Sequence, residues 1–276
     1  MMGAMRSVTA MLCLPVSLVM FLTSCGGPAD RAAHSSGPLP RGSVPAQRLG
    51  EPARDGAAHP VPPDARVGAV FLDGDKLHIC TASVLHSVGG DLVLTAAHCL
   101  LGFSTAAFVP GFSEDAAPTE KWAVSDVYFD NRWLATRDPR ADYAIARVRG
   151  SGDEPVERRA GAGLTLGAAP VRGSRVTVTG YPAGVGGQPV SCQGSTGTTE
   201  SGFPSLPCEG LVSGTSGAPW MSGGSVVGVI GGLEGGGCAD DVSYSPPFDE
   251  RTAQLLARAE AGGPGDPPAA DYDDSC

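Results

Sequence analysis

From Val67 onward the chain is written in short apolar runs punctuated by Gly, Pro, Asp and Ser. They read VGAVFL (67–72), HICTASVL (78–85), DLVLTAA (91–97), WAVSDVYF (122–129), DYAIARV (142–148), RVTVTGY (175–181) and VVGVIGGL (226–233). Runs of this length, rich in β-branched and aromatic residues and bounded by turn formers, predict an all-β sandwich or barrel and leave little of the chain for helices. A Gly- and charge-rich bridge, RGSGDEPVERRAGAG (149–163), divides the region in two, so two packed barrels, about 67–150 and about 164–246, suit the pattern. One helix is expected over 248–260. Asp249 would cap it, and Phe248, Thr252, Leu255, Leu256 and Ala259 would share a face.

What precedes Val67 has another character. Arg6 followed by the apolar run VTAMLCLPVSLVMFL (8–22) is an export signal in form and too short for a bilayer span. The sequence after it, Leu22-Thr23-Ser24-Cys25-Gly26, resembles a bacterial lipobox, which implies cleavage after residue 24 and a lipid on Cys25. Residues 25–66 are dominated by Pro, Ala, Gly, Ser and Arg without apolar periodicity and are expected to form a flexible tether from the membrane to a domain spanning 67–261. Residues 262–276 are expected to be a disordered acidic tail.

Cysteine parity agrees with export. Of eight cysteines, Cys13 leaves with the signal, and lipidation of Cys25 reduces the remaining seven to six: Cys80, Cys99, Cys192, Cys208, Cys238 and Cys276. An even set outside the reducing cytosol is a disulfide set. Cys80 and Cys99 can bridge over a hairpin, and Cys192 and Cys208 can close another, leaving Cys238 with Cys276; Cys208 with Cys238 is the alternative. Nineteen basic against 29 acidic residues give a net charge of −10, which argues against a nucleic-acid partner. No His-Glu-x-x-His or paired-cysteine spacing speaks for a metal, and no cofactor is expected.

Three short stretches carry chemistry. LVLTAAHC (92–99) ends a strand on His98, ADYAIARV (141–148) starts one after Asp142, and SGTSGAPW (213–220) sets Ser216 among small residues. An unassisted serine barely ionises at neutral pH, so a nucleophilic Ser216 needs an imidazole to take its proton and an acid to orient that imidazole. TAAHC, the Asp142 strand and the Ser216 loop, in that order and with 44 residues between His98 and Asp142, resemble the histidine, aspartate and serine motifs of the chymotrypsin/trypsin-like serine peptidases, in their bacterial secreted branch.

That resemblance implies two packed six-stranded antiparallel β-barrels with a C-terminal helix. It implies a catalytic triad of His98, Asp142 and Ser216, a Cys80–Cys99 bridge beside the histidine, and an oxyanion hole from the N–H groups of Gly214 and Ser216. Asp138 lies close enough in sequence to compete with Asp142. Gly210 stands at the base of the primary substrate pocket, where trypsin-like members carry an aspartate, so cleavage after Arg or Lys is not implied; Gly231, Gly232 and Leu233 form the opposite wall. Ile230 replaces the histidine of glutamate-specific bacterial relatives. Thr215 replaces the aspartate that receives a new amino terminus in zymogens, so no trypsin-style activation switch is expected. The expected protein is a monomeric, exported, lipid-anchored serine endopeptidase acting on proteins or peptides. A catalytically inactive binding protein of the same fold and an exported esterase with the same triad are the rivals.

Overall fold

The computed structural model describes residues 55–72, 76–102, 105–113, 121–237, 239 and 241–267. The signal sequence, Cys25, most of the tether, Cys238 and Cys276 lie outside the described residues, and with them the lipidation site and the Cys238 pairing.

The first strand comes earlier than the sequence predicts. β1 (His59–Pro60) lies antiparallel on a strand of the second half, with His59 opposite Ser191. Around it Gly56 N–H donates to Gln193 O, Ala58 N–H to Glu209 O and Val61 N–H to Pro189 O. Residues 55–66 are therefore part of the domain, not the end of a flexible tether. A Pro-rich strand can do this at a sheet edge, where the missing N–H is not needed.

Six strands then close a barrel: β2 (Val67–Leu72), β3 (Leu77–Val84), β4 (Leu92–Thr95), β5 (Ala106–Pro110), β6 (Trp122–Phe129) and β7 (Ala144–Arg149). They pair antiparallel in the order β3-β2-β5-β6-β7-β4, and β4 returns to β3 through Ser83 opposite Leu94. β2 reads as a continuous apolar run because both of its faces are buried. Val70 and Leu72 fill the barrel with Ala82, Val84, Phe108, Trp122 and Val148, while Val67, Ala69 and Phe71 turn out to the second half.

The second half is less regular. β8 (Thr165–Leu166), β9 (Arg175–Gly180), β11 (Val190–Ser195), β14 (Pro219–Ser222) and β15 (Ser225–Val229) form, with β1, a six-stranded sheet in the order β1-β11-β9-β14-β15-β8. β10 (Gly184–Val185) joins β3 of the first barrel, and β12 (Gly197–Thr198), β13 (Pro204–Pro207) and β16 (Val242–Tyr244) make a separate small sheet. The expected second barrel is thus a six-stranded sheet and a three-stranded one around a shared core of Val176, Val178, Leu206, Leu211, Trp220 and Ile230. The Cys192–Cys208 disulfide crosses that core from β11 to the residue after β13. β8 runs parallel to β15, a departure from the antiparallel expectation.

Among the described residues three α-helices complete the domain: α1 (Asn131–Thr136), α2 (Val156–Ala160) and α3 (Glu250–Glu260). α3 is the helix expected over 248–260. The Asp249 carboxylate accepts from Arg251 N at 2.8 Å, Thr252 returns a bond to Asp249 N, and Leu255 and Ala259 are buried. Beyond it the chain does not detach at 262. Tyr128 Oη donates to Gly263 O, Asp266 N–H donates to Val127 O, and the Asp266 carboxylate accepts from Phe129 N and Arg258. The start of the expected tail is a strap along β6.

Candidate active site

His98 sits in the single 3-10 turn, Ala97–Leu100, that follows β4. The adjacent Cys99 is bonded to Cys80 on β3, and one ring nitrogen of His98 lies within 4.8 Å of both sulfurs. The disulfide thus backs the imidazole. The same three residues have metal-ligand types, but sulfurs bonded to each other are not thiolates and offer no metal site.

Asp142 closes a second 3-10 turn, Pro139–Ala141, just before β7, and is fully buried. Its carboxylate accepts from three donors. Oδ2 accepts from His98 Nδ1 at 2.8 Å and from Gly232 N at 2.8 Å, and Oδ1 accepts from His98 N at 2.9 Å. Burial alone would push this carboxyl up, but the His98 charge and the three bonds outweigh it and hold the group below the ordinary carboxylate range. Because a carboxylate only accepts, Nδ1 of His98 carries the proton and Nε2 is left as the basic nitrogen. Asp138 does other work: it caps the 3-10 turn by accepting from Arg140 N at 2.9 Å.

The residue after Asp142 anchors it. Buried Tyr143 donates to Asp130 at 2.8 Å, Arg132 grips the same carboxylate through two nitrogens, and the Tyr143 ring meets Phe248 edge-on at 5.7 Å. Burial raises the Tyr143 pKa, so the phenol stays a donor. Asp130 also caps α1, which ties the Asp142 turn to that helix.

Ser216 belongs to a loop between the small sheet and β14. Gly214 has φ +94° and Gly217 φ +79°, a region that side chains with a Cβ avoid. Space forbids a Cβ as well. At Gly214 it would strike Ala183 N and lie 2.7 Å from Tyr181 O; at Gly217 it would strike Thr81 O and Thr95 Oγ1 and lie 2.9 Å from Ala96 N. Gly217 is wedged where β3 and β4 part company; β3 carries Cys80, and β4 leads to His98 and Cys99. Ser213 O accepts from Ala183 N at 2.8 Å, and Thr215 O accepts from Ala218 N at 2.9 Å. In a trans peptide the N–H points opposite to the C=O, so the N–H groups of Gly214 and Ser216 face away from those partners. Among the described residues neither has an acceptor. Thr215, where a zymogen has aspartate, is buried, and its hydroxyl closes on Val212 O at 2.7 Å.

The expected pocket residues fall into two places. Gly231 and Gly232 are buried against Asp142, and Leu233 begins the partly exposed turn that follows. Gly210 lies beside the N-terminal segment, 3.5 Å from Ala58 Cβ as measured from where its own Cβ would stand. Sequence reading missed this neighbour, since nothing in the composition of 55–60 marks it as part of the domain. It also missed Thr81, Thr95 and the Asp130–Arg132–Tyr143 cluster. The position of Thr81, directly after the bridged Cys80, was the available signal.

A family model described as trypsin-like peptidase domain matches residues 80–229. No curated protein matches the chain. Among solved structures, the protease Anisep from Arthrobacter nicotinovorans superposes with a TM-score of 0.64 at 22% identity, over 74% of this chain and 100% of that one. The thermostable serine protease AL20 from an extremophilic microorganism gives 0.63 at 24%, over 72% and 99%. A Glu endopeptidase gives 0.61 at 16%, over 76% and 98%. At these identities the structural likeness speaks for the fold.

Proposed function

The chain belongs to the trypsin-like peptidase domain family and is a serine-type endopeptidase, and from that premise we propose that it cleaves peptide bonds through Ser216, His98 and Asp142. Ser216 Oγ attacks the substrate carbonyl as Nε2 of His98 accepts its proton. Asp142 keeps the other imidazole nitrogen protonated and stabilises the imidazolium that forms. The developing oxyanion is received by the N–H groups of Gly214 and Ser216, each such donor contributing roughly 3 to 4 kcal/mol to the transition state. Collapse expels the amine, which takes its proton from His98, and water repeats the sequence on the acyl-enzyme.

The observation that supports this reading most is the His98–Asp142 bond at 2.8 Å, with the carboxylate buried and held by three donors. It accounts for why a charge is kept inside the protein. In the same reading Gly231, Gly232 and Leu233 form one wall of the primary pocket, and Gly210, set apart beside Ala58, stands at its base. With no charged side chain among them, a basic side chain in the substrate finds no counter-charge there.

The experiment is treatment of the purified domain with a fluorophosphonate followed by intact mass measurement. One adduct, absent from Ser216→Ala, is expected; no adduct would favour a non-catalytic binding protein. Hydrolysis should also fall as the imidazole takes up a proton, and a flat rate from about pH 8 to about pH 5 would exclude His98 as the base.

The proposal includes location: export, lipidation at Cys25 and a tether holding the peptidase domain outside the membrane. Globomycin-sensitive processing, and palmitate labelling lost in Cys25→Ala, are the expected results.

A further inference from the structure

We propose that Thr81 is a positioning residue that sets the orientation of the nucleophile loop from the opposite half of the domain, a role that rests on the reading of Ser216 as nucleophile. Thr81 lies on β3 and is fully buried. Outside the strand ladder it makes four hydrogen bonds, and three of them reach across to the second half. Its N–H donates to Ser216 O at 2.8 Å, its hydroxyl donates to Gly214 O at 3.0 Å, and the same hydroxyl accepts from Tyr181 N at 2.9 Å. The fourth fixes Thr81 itself: Thr95 Oγ1 donates to Thr81 O at 2.7 Å.

The geometry makes the hydroxyl more than a filler. Gly214 O belongs to the Gly214–Thr215 peptide, and Ser216 O to the Ser216–Gly217 peptide. Those two planes bracket the Ser216 N–H, the first of them adjoins the peptide that carries the Gly214 N–H, and both are tied to one residue. Gly214 has no side chain to hold its torsions, so a carbonyl anchor is what limits rotation of that peptide. Tyr181 N–H, held by the same oxygen, opens the segment whose Ala183 N–H donates to Ser213 O. Thr95 lies three residues before His98 on the continuous chain. The relay from Thr95 through Thr81 to Gly214 and Ser216 therefore fixes the serine loop relative to the element that carries the imidazole.

The hydroxyl has one donor and takes one acceptor role, so both are used, and valine, of the same shape, would leave Gly214 O and Tyr181 N–H unpartnered in a buried place. A sub-ångström drift of the loop then shows in the chemical step before it shows in substrate binding.

The test is steady-state peptide or ester hydrolysis normalised to sites titrated with a fluorophosphonate, with melting temperature measured on the same samples. Thr81→Val should lower kcat per titrated site by about 10- to 100-fold, with KM within roughly a factor of two. Thr81→Ser, which keeps the hydroxyl, should restore kcat to within about threefold. Should Thr81→Val not fold, Thr95→Val decides, with an expected fall of about fivefold in kcat per titrated site. Unchanged kcat per titrated site in the folded variants, with only a lower melting temperature or fewer active sites, would overturn the positioning role. A wild-type protein that forms no adduct would instead overturn the reading of Ser216, and this role with it.

Discussion

The two halves of the domain hold their polar groups by different means. The first is a closed ring of six strands, and it presents His98 and Asp142 from single 3-10 turns set directly against strand ends. The second is a six-stranded and a three-stranded sheet joined through the Ala57–Glu209 bridge, and it presents Ser216 from a loop shaped by glycines with positive φ. Ladder hydrogen bonds and a disulfide define the first arrangement locally. The second is defined from outside: Thr81, Thr95 and the Ala96 backbone, all of the first half, are what Ser216 and Gly217 rest against. The lesson is that the irregular half borrows its order at the point where chemistry is expected.

That contrast can be broken first at the chemical groups themselves. Ser216→Ala and His98→Ala should each reduce kcat/KM by at least about 10³-fold, and Asp142→Asn by roughly 10⁴-fold because the imidazole loses its tautomer. Folding should survive in all three, as circular dichroism would show. Retained turnover in any of them would remove that residue from the reaction.

Next comes the wedge between the halves. Gly217→Ala puts a Cβ into Thr81 O and Thr95 Oγ1 at a φ that alanine resists, so about 3 kcal/mol of stability and most activity should go together. The same substitution at Gly223, whose Cβ would meet nothing within 4 Å at a φ of +62°, should cost about 1 kcal/mol and leave activity intact. Equal effects at the two sites, by denaturant melts, would contradict the wedge.

The disulfides sharpen the comparison. They close loops of similar size, 19 and 16 residues of separation, so removing either should cost a similar stability, about 3 kcal/mol. Activity below the melting range should separate them: loss of Cys80–Cys99 loosens the backing of His98, whereas loss of Cys192–Cys208 loosens a core away from it.

The smallest expected effect concerns His78, which joins the halves at the β3–β10 pairing. Its Nε2 contacts Gly186 O at 2.9 Å, and its ring is caged by Phe71, Phe112 and Tyr181. Burial lowers its pKa despite the Gly186 bond, so the unfolded chain takes up a proton more readily than the folded one. The stability this gives is fully present above the ordinary imidazole pKa, about 6.5, and is lost as pH falls below it. The melting temperature should therefore drop less between about pH 7 and about pH 5 in His78→Gln than in the wild type.

The first half was legible in the sequence because its information is local. β2, β3, β4, β6 and β7 each coincide with an apolar run, and His98 and Asp142 sit at run ends. α3 was legible through Asp249 and its buried face. The edge strand at His59–Pro60 and the strap at Gly263–Asp266 were not, since both are Pro- and Gly-rich and owe their order to backbone bonds with distant strands. Composition signals only whether a segment can build its own core, and these two attach to a core that already exists. Thr81 was invisible for a related reason: its bond to Gly214 spans 133 residues, and no periodicity encodes such a contact.

The strap has a further meaning for the order in which the protein is made. Among the described residues β6 pairs with β5 near Trp122 and Ala123, and its later residues, Val127 and Phe129, are met by Asp266. A growing chain cannot cover that seam until residue 266 has emerged from the ribosome. Until then an open strand edge is presented to whatever lies nearby. Fusions or truncations that cut before Asp266 would make this transient opening permanent and favour association between molecules.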